Sequence, residues 1–239
     1  MKRHTKADNA KAREFFERAA SLDPGYAPVF TALGLTHFDD AHHGWSESRE
    51  ESLLRAVELA KKAQALDDSD PMIHVLWGAI YLRQRRYDQA IAAGEKSVAL
   101  GPNQADPHLM LAMYLSHTDR YKEALPLIRK AMRLDPYYPS YYLQLLGGVY
   151  LQMEEYEKAV EAYKMLVVRE PHGIGEHVGL AIAYIRLGRE EQARSEAAEV
   201  LRLSPEFTLE GYRKQAHGKD MDPAIVESDI EALREAGLK

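Results

Sequence analysis

Residues 103–136 read NQADPHLMLAMYLSHTDRYKEALPLIRKAMRLDP, and the way this stretch is punctuated decides the fold. Asp106-Pro107 predicts an N-cap followed by proline at the first helical position, where the missing N–H is no loss. The stretch closes on Leu134-Asp135-Pro136, and that ending recurs as Leu22-Asp23-Pro24, Leu66-Asp67-Asp68, Leu100-Gly101-Pro102, Glu170-Pro171 and Leu203-Ser204-Pro205. The marks at 24, 68, 102, 136, 171 and 205 lie 44, 34, 34, 35 and 34 residues apart, a 34-residue period with one ten-residue and one single-residue insertion. Twelve positions before each mark stands alanine: Ala12, Ala56, Ala90, Ala124, Ala159 and Ala193. Composition alone does not produce such a column. Gly34, Gly78, Ala112, Gly147 and Ala181 form a second column of small residues, with Tyr81, Tyr150 and Tyr184 three places on. Small residues let two helices approach, and tyrosine fills the space beside them.

Apolar residues recur at three- and four-residue steps within each unit, so each unit is predicted to be a pair of helices bounded near proline. Asp70-Pro71 and Asp222-Pro223 mark further helix starts. The expected fold is all-α, a right-handed solenoid of antiparallel helix pairs in which each pair buries its seam on the next. The expected divisions are 1–24, a partial repeat holding only a second helix from Asn9 to Leu22; 25–68, a repeat with the ten-residue insertion; 69–102; 103–136; 137–171; 172–205; and a tail, 206–239. In the tail, Pro223 to Ala236 with Gly237 behind it reads as a separate amphipathic helix with a glycine stop, which would cap the solenoid. A chain that starts in mid-repeat suggests a module cut from a longer protein.

The spacing, with Gly, Tyr, Ala and Pro at these positions, resembles the tetratricopeptide repeat over roughly residues 8 to 205. The sequence departs from that pattern where Phe30, His74, His108, Leu143 and His177 hold the tryptophan place, and where Asp68 and Arg169 replace the usual Pro and Leu. Thr5-Lys6-Ala7-Asp8-Asn9, Gly44-Trp45-Ser46, Asp135-Pro136-Tyr137-Tyr138 and the ending Leu233 to Leu238 further resemble the C-terminal repeat region of bacterial class III adenylate/guanylate cyclase-like signalling proteins. No cyclase catalytic segment accompanies them, so this resemblance implies a regulatory module.

In tetratricopeptide repeats the first helix of each pair lines the concave face. The resemblance therefore implies a partner-binding groove built from Met72, Val75, Ala79, Leu82 and Arg83; from Asp106, Leu109, Met113, Ser116 and His117; from Tyr141, Gln144, Gly148, Leu151 and Gln152; and from Val178, Ile182, Ile185 and Arg186. The subclass that grips a C-terminal carboxylate needs Lys and Asn at several of these places, and none stands here. A mostly apolar strip with methionines suits an amphipathic helix or an aromatic-bearing peptide, with Arg83 and Arg186 for acidic flanks. Two other readings stay open. The strip is core, or is covered by the chain's own terminal helix; or the chain self-associates through the strip, or through the first helix with the seam of its missing partner, giving a homodimer.

Composition narrows the chemistry. No cysteine is present among 239 residues, which excludes disulfides, thiolate metal sites and cysteine nucleophiles. A formal charge of −6 opposes nucleic-acid binding. No apolar run is long enough to span a membrane and none follows Met1 as a signal peptide, so a cytoplasmic location is expected. His37, Asp39, Asp40, His42 and His43 in the insertion are the densest ionisable cluster, and a metal- or small-ligand sensor there is the third reading after scaffold and self-associating module. Otherwise they belong to a solvated loop anchored by Trp45. His74, His108 and His177 share one repeat position and read as packing residues. Neither a phosphate loop nor a nucleophile elbow is present, so no enzyme activity, catalytic residue, metal or cofactor is expected.

Overall fold

The computed structural model describes residues 5–218 and 221–239, and these form helices joined by short turns. Two compact units divide the chain, 1–114 and 115–239. The first holds α1 (Lys6–Leu22), α2 (Ala27–His43), α3 (Arg49–Leu66), α4 (Pro71–Arg83), α5 (Tyr87–Leu100) and most of α6 (Ala105–Ser116). The second holds α7 (Tyr121–Leu134), α8 (Ser140–Gln152), α9 (Tyr156–Arg169), α10 (Ile174–Arg186), α11 (Glu190–Leu203), α12 (Leu209–Gly218) and α13 (Pro223–Glu235). Among the described residues every regular element is helical, and successive helices pair as α2 with α3, α4 with α5, α8 with α9 and α10 with α11.

The alanine column is the line of contact. Ala56, Ala90, Ala124, Ala159 and Ala193 are all at 0% exposure. Ala12, on α1, is only half-buried. Of the column's glycines, Gly34 meets Leu76, and Gly78 and Gly147 meet two tyrosines other than the three expected. In the first unit, Tyr114 of α6 lies against Gly78 of α4 and Gly94 of α5, and its hydroxyl donates to the Val75 carbonyl at 2.8 Å. In the second unit, the Tyr163 ring of α9 stands between Gly147 of α8 and Gly179 of α10. Tyr150 and Tyr184 are buried, the Tyr150 hydroxyl accepting from Arg129 at 2.9 Å, while Tyr81 stacks on Trp77 under the Arg86 guanidinium.

The turn inside each pair has one design. Arg85, Asp119, Glu154 and Gly188 all take left-handed backbone angles, with φ of 58°, 57°, 59° and 69°. The next N–H returns to a carbonyl five residues back, as in Arg86 to Tyr81 and Arg189 to Tyr184. Only the last of the four is glycine, the residue to which this conformation comes without steric penalty.

Several expectations are corrected. The first helix begins at Lys6, not Asn9, because Thr5 caps it by accepting from the Asp8 N–H at 3.2 Å. The ten-residue insertion is not a loop: it lengthens α2 and α3 to 17 and 18 residues, leaving a short connection around Gly44 and Trp45. Asp70 and Asp222 are N-caps, accepting from Met72 and Ala224 at 2.9 and 2.7 Å, but α6 starts at Ala105, so Asp106 and Pro107 lie inside its first turn. The tail contains α12 as well as the expected terminal helix, and α13 ends at Glu235 with Gly237 at φ 102° closing it.

Candidate partner-docking surface

The first helices of the pairs carry the residues implied for a groove, and burial sorts them. Val75, Ala79, Leu109, Val178 and Ile182 are core, between 2% and 6% exposed. Met72, Leu82, Arg83, Met113, Ser116, His117, Gly148, Leu151, Gln152 and Ile185 are half-buried, and Asp106, Tyr141, Gln144 and Arg186 are exposed. Five of the apolar residues are therefore consumed by packing, five more keep part of their surface, and the fully exposed positions are aromatic, polar or charged.

In the second unit, Tyr141, Gln144, Gly148 and Gln152 follow one face of α8 at steps of three and four. The face begins in an aromatic cluster. Tyr138 stacks on Tyr142 with ring centroids 5.6 Å apart, Tyr141 tilts against Tyr142 at 5.1 Å, and Tyr137 is 95% exposed. Arg169 fixes the cluster by donating to the Tyr138 carbonyl at 3.0 Å with its guanidinium 4.4 Å from the ring centre. A rigid helix thus presents phenol rings, an amide and a glycine gap in sequence, a combination that offers flat apolar area with hydrogen bonding at little loss of side-chain freedom.

The same unit shows what covers α10. α13 packs on it, and Arg186 donates to the Ser228 carbonyl at 2.8 Å and to the Ser228 hydroxyl. Tyr212 of α12 donates to Asp229 Oδ2 at 2.8 Å, and Arg213 holds Glu227 through two bonds of 2.7 and 2.9 Å. Asp229 is 8% exposed; burial raises its carboxyl above the usual range, opposed by the Tyr212 hydrogen bond and the Arg186 charge. Burial likewise raises Glu176 on α10.

In the first unit, sequence reasoning missed the contact that seats α1. Asn9 donates to the Thr36 carbonyl and to Asp40, both at 2.8 Å, and Arg13 reaches the same carbonyl at 2.9 Å and Asp40 at 2.7 Å. Asp40 is thereby committed to an ion pair across two helices, only 13% exposed on its side chain. His37 lies nearby, its pKa lowered to about 4 by burial and by Arg13, with Asp40 opposing and Arg55 adding to the shift. Outside them His43 stacks on Trp45 at 4.4 Å and meets His42 edge-on at 4.8 Å. Among the described residues no three His, Cys, Asp or Glu side chains come together as a metal site.

The three repeat-position histidines are tied within the fold. His74 Nε2 lies 3.0 Å from the Asp68 carbonyl and His108 Nε2 2.9 Å from the Pro102 carbonyl, each six residues back, so each ring fastens its helix to the boundary turn before it. His177 uses Nδ1 instead, 2.6 Å from Glu196 on α11. No described helix is long and apolar enough to cross a membrane.

The tetratricopeptide-repeat family profiles match residues 32–105 and 75–139, and a second one 140–166. Subunit 6 of the anaphase-promoting complex of Arabidopsis thaliana is 30% identical over 148 residues, covering 60% of this chain and 27% of that protein. Among solved structures, the anaphase-promoting complex hetero-tetramer Cut9-Hcn1 superposes with a TM-score of 0.71 at 16% identity, over 84% of this chain and 38% of the other. YrrB, described as a TPR protein with an unusual peptide-binding site, superposes with a TM-score of 0.58 at 19% identity, over 82% and 95%. This chain spans about a quarter of the length of its Arabidopsis relative. It belongs to the tetratricopeptide-repeat family.

Proposed function

We propose that this tetratricopeptide-repeat chain is a protein-interaction scaffold that holds a peptide or helix of a partner on the first helices of its repeats, as the regulatory module of a bacterial signalling system. The observation that carries the reading is the partly exposed face of α8, where Tyr141 and Gln144 reach solvent beside a braced aromatic cluster on a rigid element. Aromatic rings and amides on an ordered helix are the groups that bind extended or helical peptides with little ordering loss. The peptide-binding site of YrrB, on a related fold, supports this class of ligand. The signalling setting rests on the segments that resemble cyclase-like proteins.

The test is affinity selection from a bacterial lysate with the native chain and with a Tyr141→Ala/Gln144→Ala variant. Both positions are exposed, so the variant folds. A protein retained by the native chain and lost from the variant bears the reading out; identical captures refute it. Replacement of Leu109, which is 2% exposed, would report on folding instead.

A second reading has its own observation. Phe15 and Leu22 of α1 are 57% and 85% exposed beside the half-buried Ala12, an apolar edge suited to association between copies. Concentration-dependent sedimentation that disappears in Phe15→Glu/Leu22→Glu would favour a homo-oligomeric module.

A further inference from the structure

The period places α12 and α13 where a first and a second helix would stand, four and eighteen residues after the mark at Pro205. Glu227 then occupies the place of the alanine column. In the regular repeats that alanine is fully buried and the second helix packs on its own first helix. Glu227 is instead on the outside, held by Arg213, and α13 turns Val226, Ile230 and Leu233, all at 0–1% exposure, into the interior. These lie at i, i+4 and i+7, one face of a helix. α13 packs on α12, its own first helix, and equally on α10, the first helix of the preceding repeat, where Arg186, one of the positions implied for partner contact, bonds to it.

We infer that α13 is a cis occupant of a helix-docking site formed by α10 and α12, and that the partner taken by this site is an amphipathic helix of the same design, seated by displacing α13. The inference rests on the scaffold reading and supplies its ligand class. The contacts define that class. Arg186 reads a backbone carbonyl and a hydroxyl, so the occupant carries Ser or Thr at the place of Ser228. Apolar residues are required two places before it and two and five places after it, as Val226, Ile230 and Leu233 are. A carboxylate one place before the serine meets Arg213.

The cis helix is not the best helix for the site. It carries Asp229 into the interface, where one phenol hydroxyl and a neighbouring guanidinium offset the loss of water. It is 13 residues long, below the length at which a helix persists unaided, so its seat is what keeps it folded. A partner helix with an apolar residue at the place of Asp229 avoids the buried carboxylate and outcompetes α13.

The test uses the full chain with α13 loosened from its own side. Ile230→Glu removes an apolar contact of α13, and Glu227→Arg sets a like charge against Arg213 without touching the interior. The probe is a fluorescent synthetic peptide of residues 221–239, and a second peptide carrying Asp229→Leu. Both loosened chains are expected to bind the peptide about tenfold more tightly than the native chain, the leucine peptide binding tighter still, and Arg186→Glu added to Glu227→Arg is expected to reverse the gain. Loosened chains whose α8–α11 amides stay protected from hydrogen exchange, yet bind the peptide no better than native, overturn the inference. Loss of that protection in Glu227→Arg overturns it too, because α13 is then an integral part of the fold. Helical peptides selected on the native chain separate the two claims. Binders that depend on Tyr141, alongside no peptide 221–239 binding, leave the scaffold reading and remove this one; tight 221–239 binding with no selected ligand does the opposite.

Discussion

Adjacent glycines in α8 should respond to alanine with opposite signs. The Tyr163 ring is held between α8 and α10, and a Cβ on Gly147 would stand 2.8 Å from two of its ring atoms, while one on Gly179 would stand 2.5 Å from the ring. Carbon atoms in contact sit about 3.5–4.0 Å apart, so the overlap is close to 1 Å, and the buried ring has nowhere to swing. Overpacking of this kind destabilises by about 1–3 kcal/mol. Replacing a helical glycine recovers about 0.8–1 kcal/mol. The net loss is up to about 2 kcal/mol for Gly179→Ala, where the overlap is larger, and somewhat less for Gly147→Ala. At Gly148 the nearest atom, the Tyr163 hydroxyl, is 4.0 Å from the added carbon. There the helix gain stands alone, and Gly148→Ala is stabilised by up to about 0.8 kcal/mol. At roughly 2–4 °C per kcal/mol for a chain of this size, thermal unfolding followed by circular dichroism resolves the difference. Tyr163→Leu in the Gly179→Ala background should recover part of the loss, a departure from additivity expected only of groups in contact. Equal shifts of one sign for Gly147→Ala and Gly148→Ala would refute the placement of the ring.

Three further outcomes follow from other parts of the molecule. Ala56→Leu forces a larger side chain into a position with 0% exposure and should destabilise by about 1–3 kcal/mol, whereas Ala12→Leu, at the half-buried member of the same column, should stay within about 0.5 kcal/mol in urea unfolding. His37 is held neutral, its pKa lowered from 6.5 to about 4, so its contribution to stability is complete above pH 6.5 and is lost as pH falls toward 4; with a half-buried ring this amounts to about 1–2 kcal/mol. His37→Gln should therefore lose less stability than the native chain between pH 7 and 4.5, and an equal loss would mean the folded protein carries a charged ring. Glu154→Gly relieves a left-handed residue and should stabilise by about 1 kcal/mol, and Gly188→Ala, at the equivalent turn, should cost about the same by chemical denaturation.

The repeat was legible because its alanine column marks a geometric necessity. Five of its members have no exposed surface, and only a residue of that size fits where two helices touch. The partner surface was less legible, since a periodic apolar residue has the same pattern whether it faces a ligand or a neighbouring helix. Val75, Leu109 and Val178 are core, while Tyr141 and Gln144 remain open. The insertion was read as a loop from its histidines and Gly44-Trp45, but its length was divided between two helices, with Asn9, Arg13, Thr36 and Asp40 bonding across helices 27 and 31 residues apart in sequence. Nor did composition signal the turns, because Arg85, Asp119 and Glu154 hold a conformation that glycine would have announced. α12 escaped notice because Leu209 to Gly218 lacks both a proline start and the small-residue column.

The two wedged tyrosines make the joints between repeats directional. Tyr114 points back into a notch made by the helix pair before it, so Gly78 and Gly94 form an open slot until α6 has been synthesised. Tyr163 points forward, and its ring remains half-clad until α10 closes over it. Each ring is a tenon cut for one particular mortise, and the alanines at 112 and 181 in the small-residue column fill the space that glycine leaves open elsewhere. Repeats of this chain are therefore not interchangeable bricks. Excising or duplicating one keeps the array sound only when notch and ring travel together, and a cut between them leaves a void the size of a phenol on one side and a naked aromatic on the other.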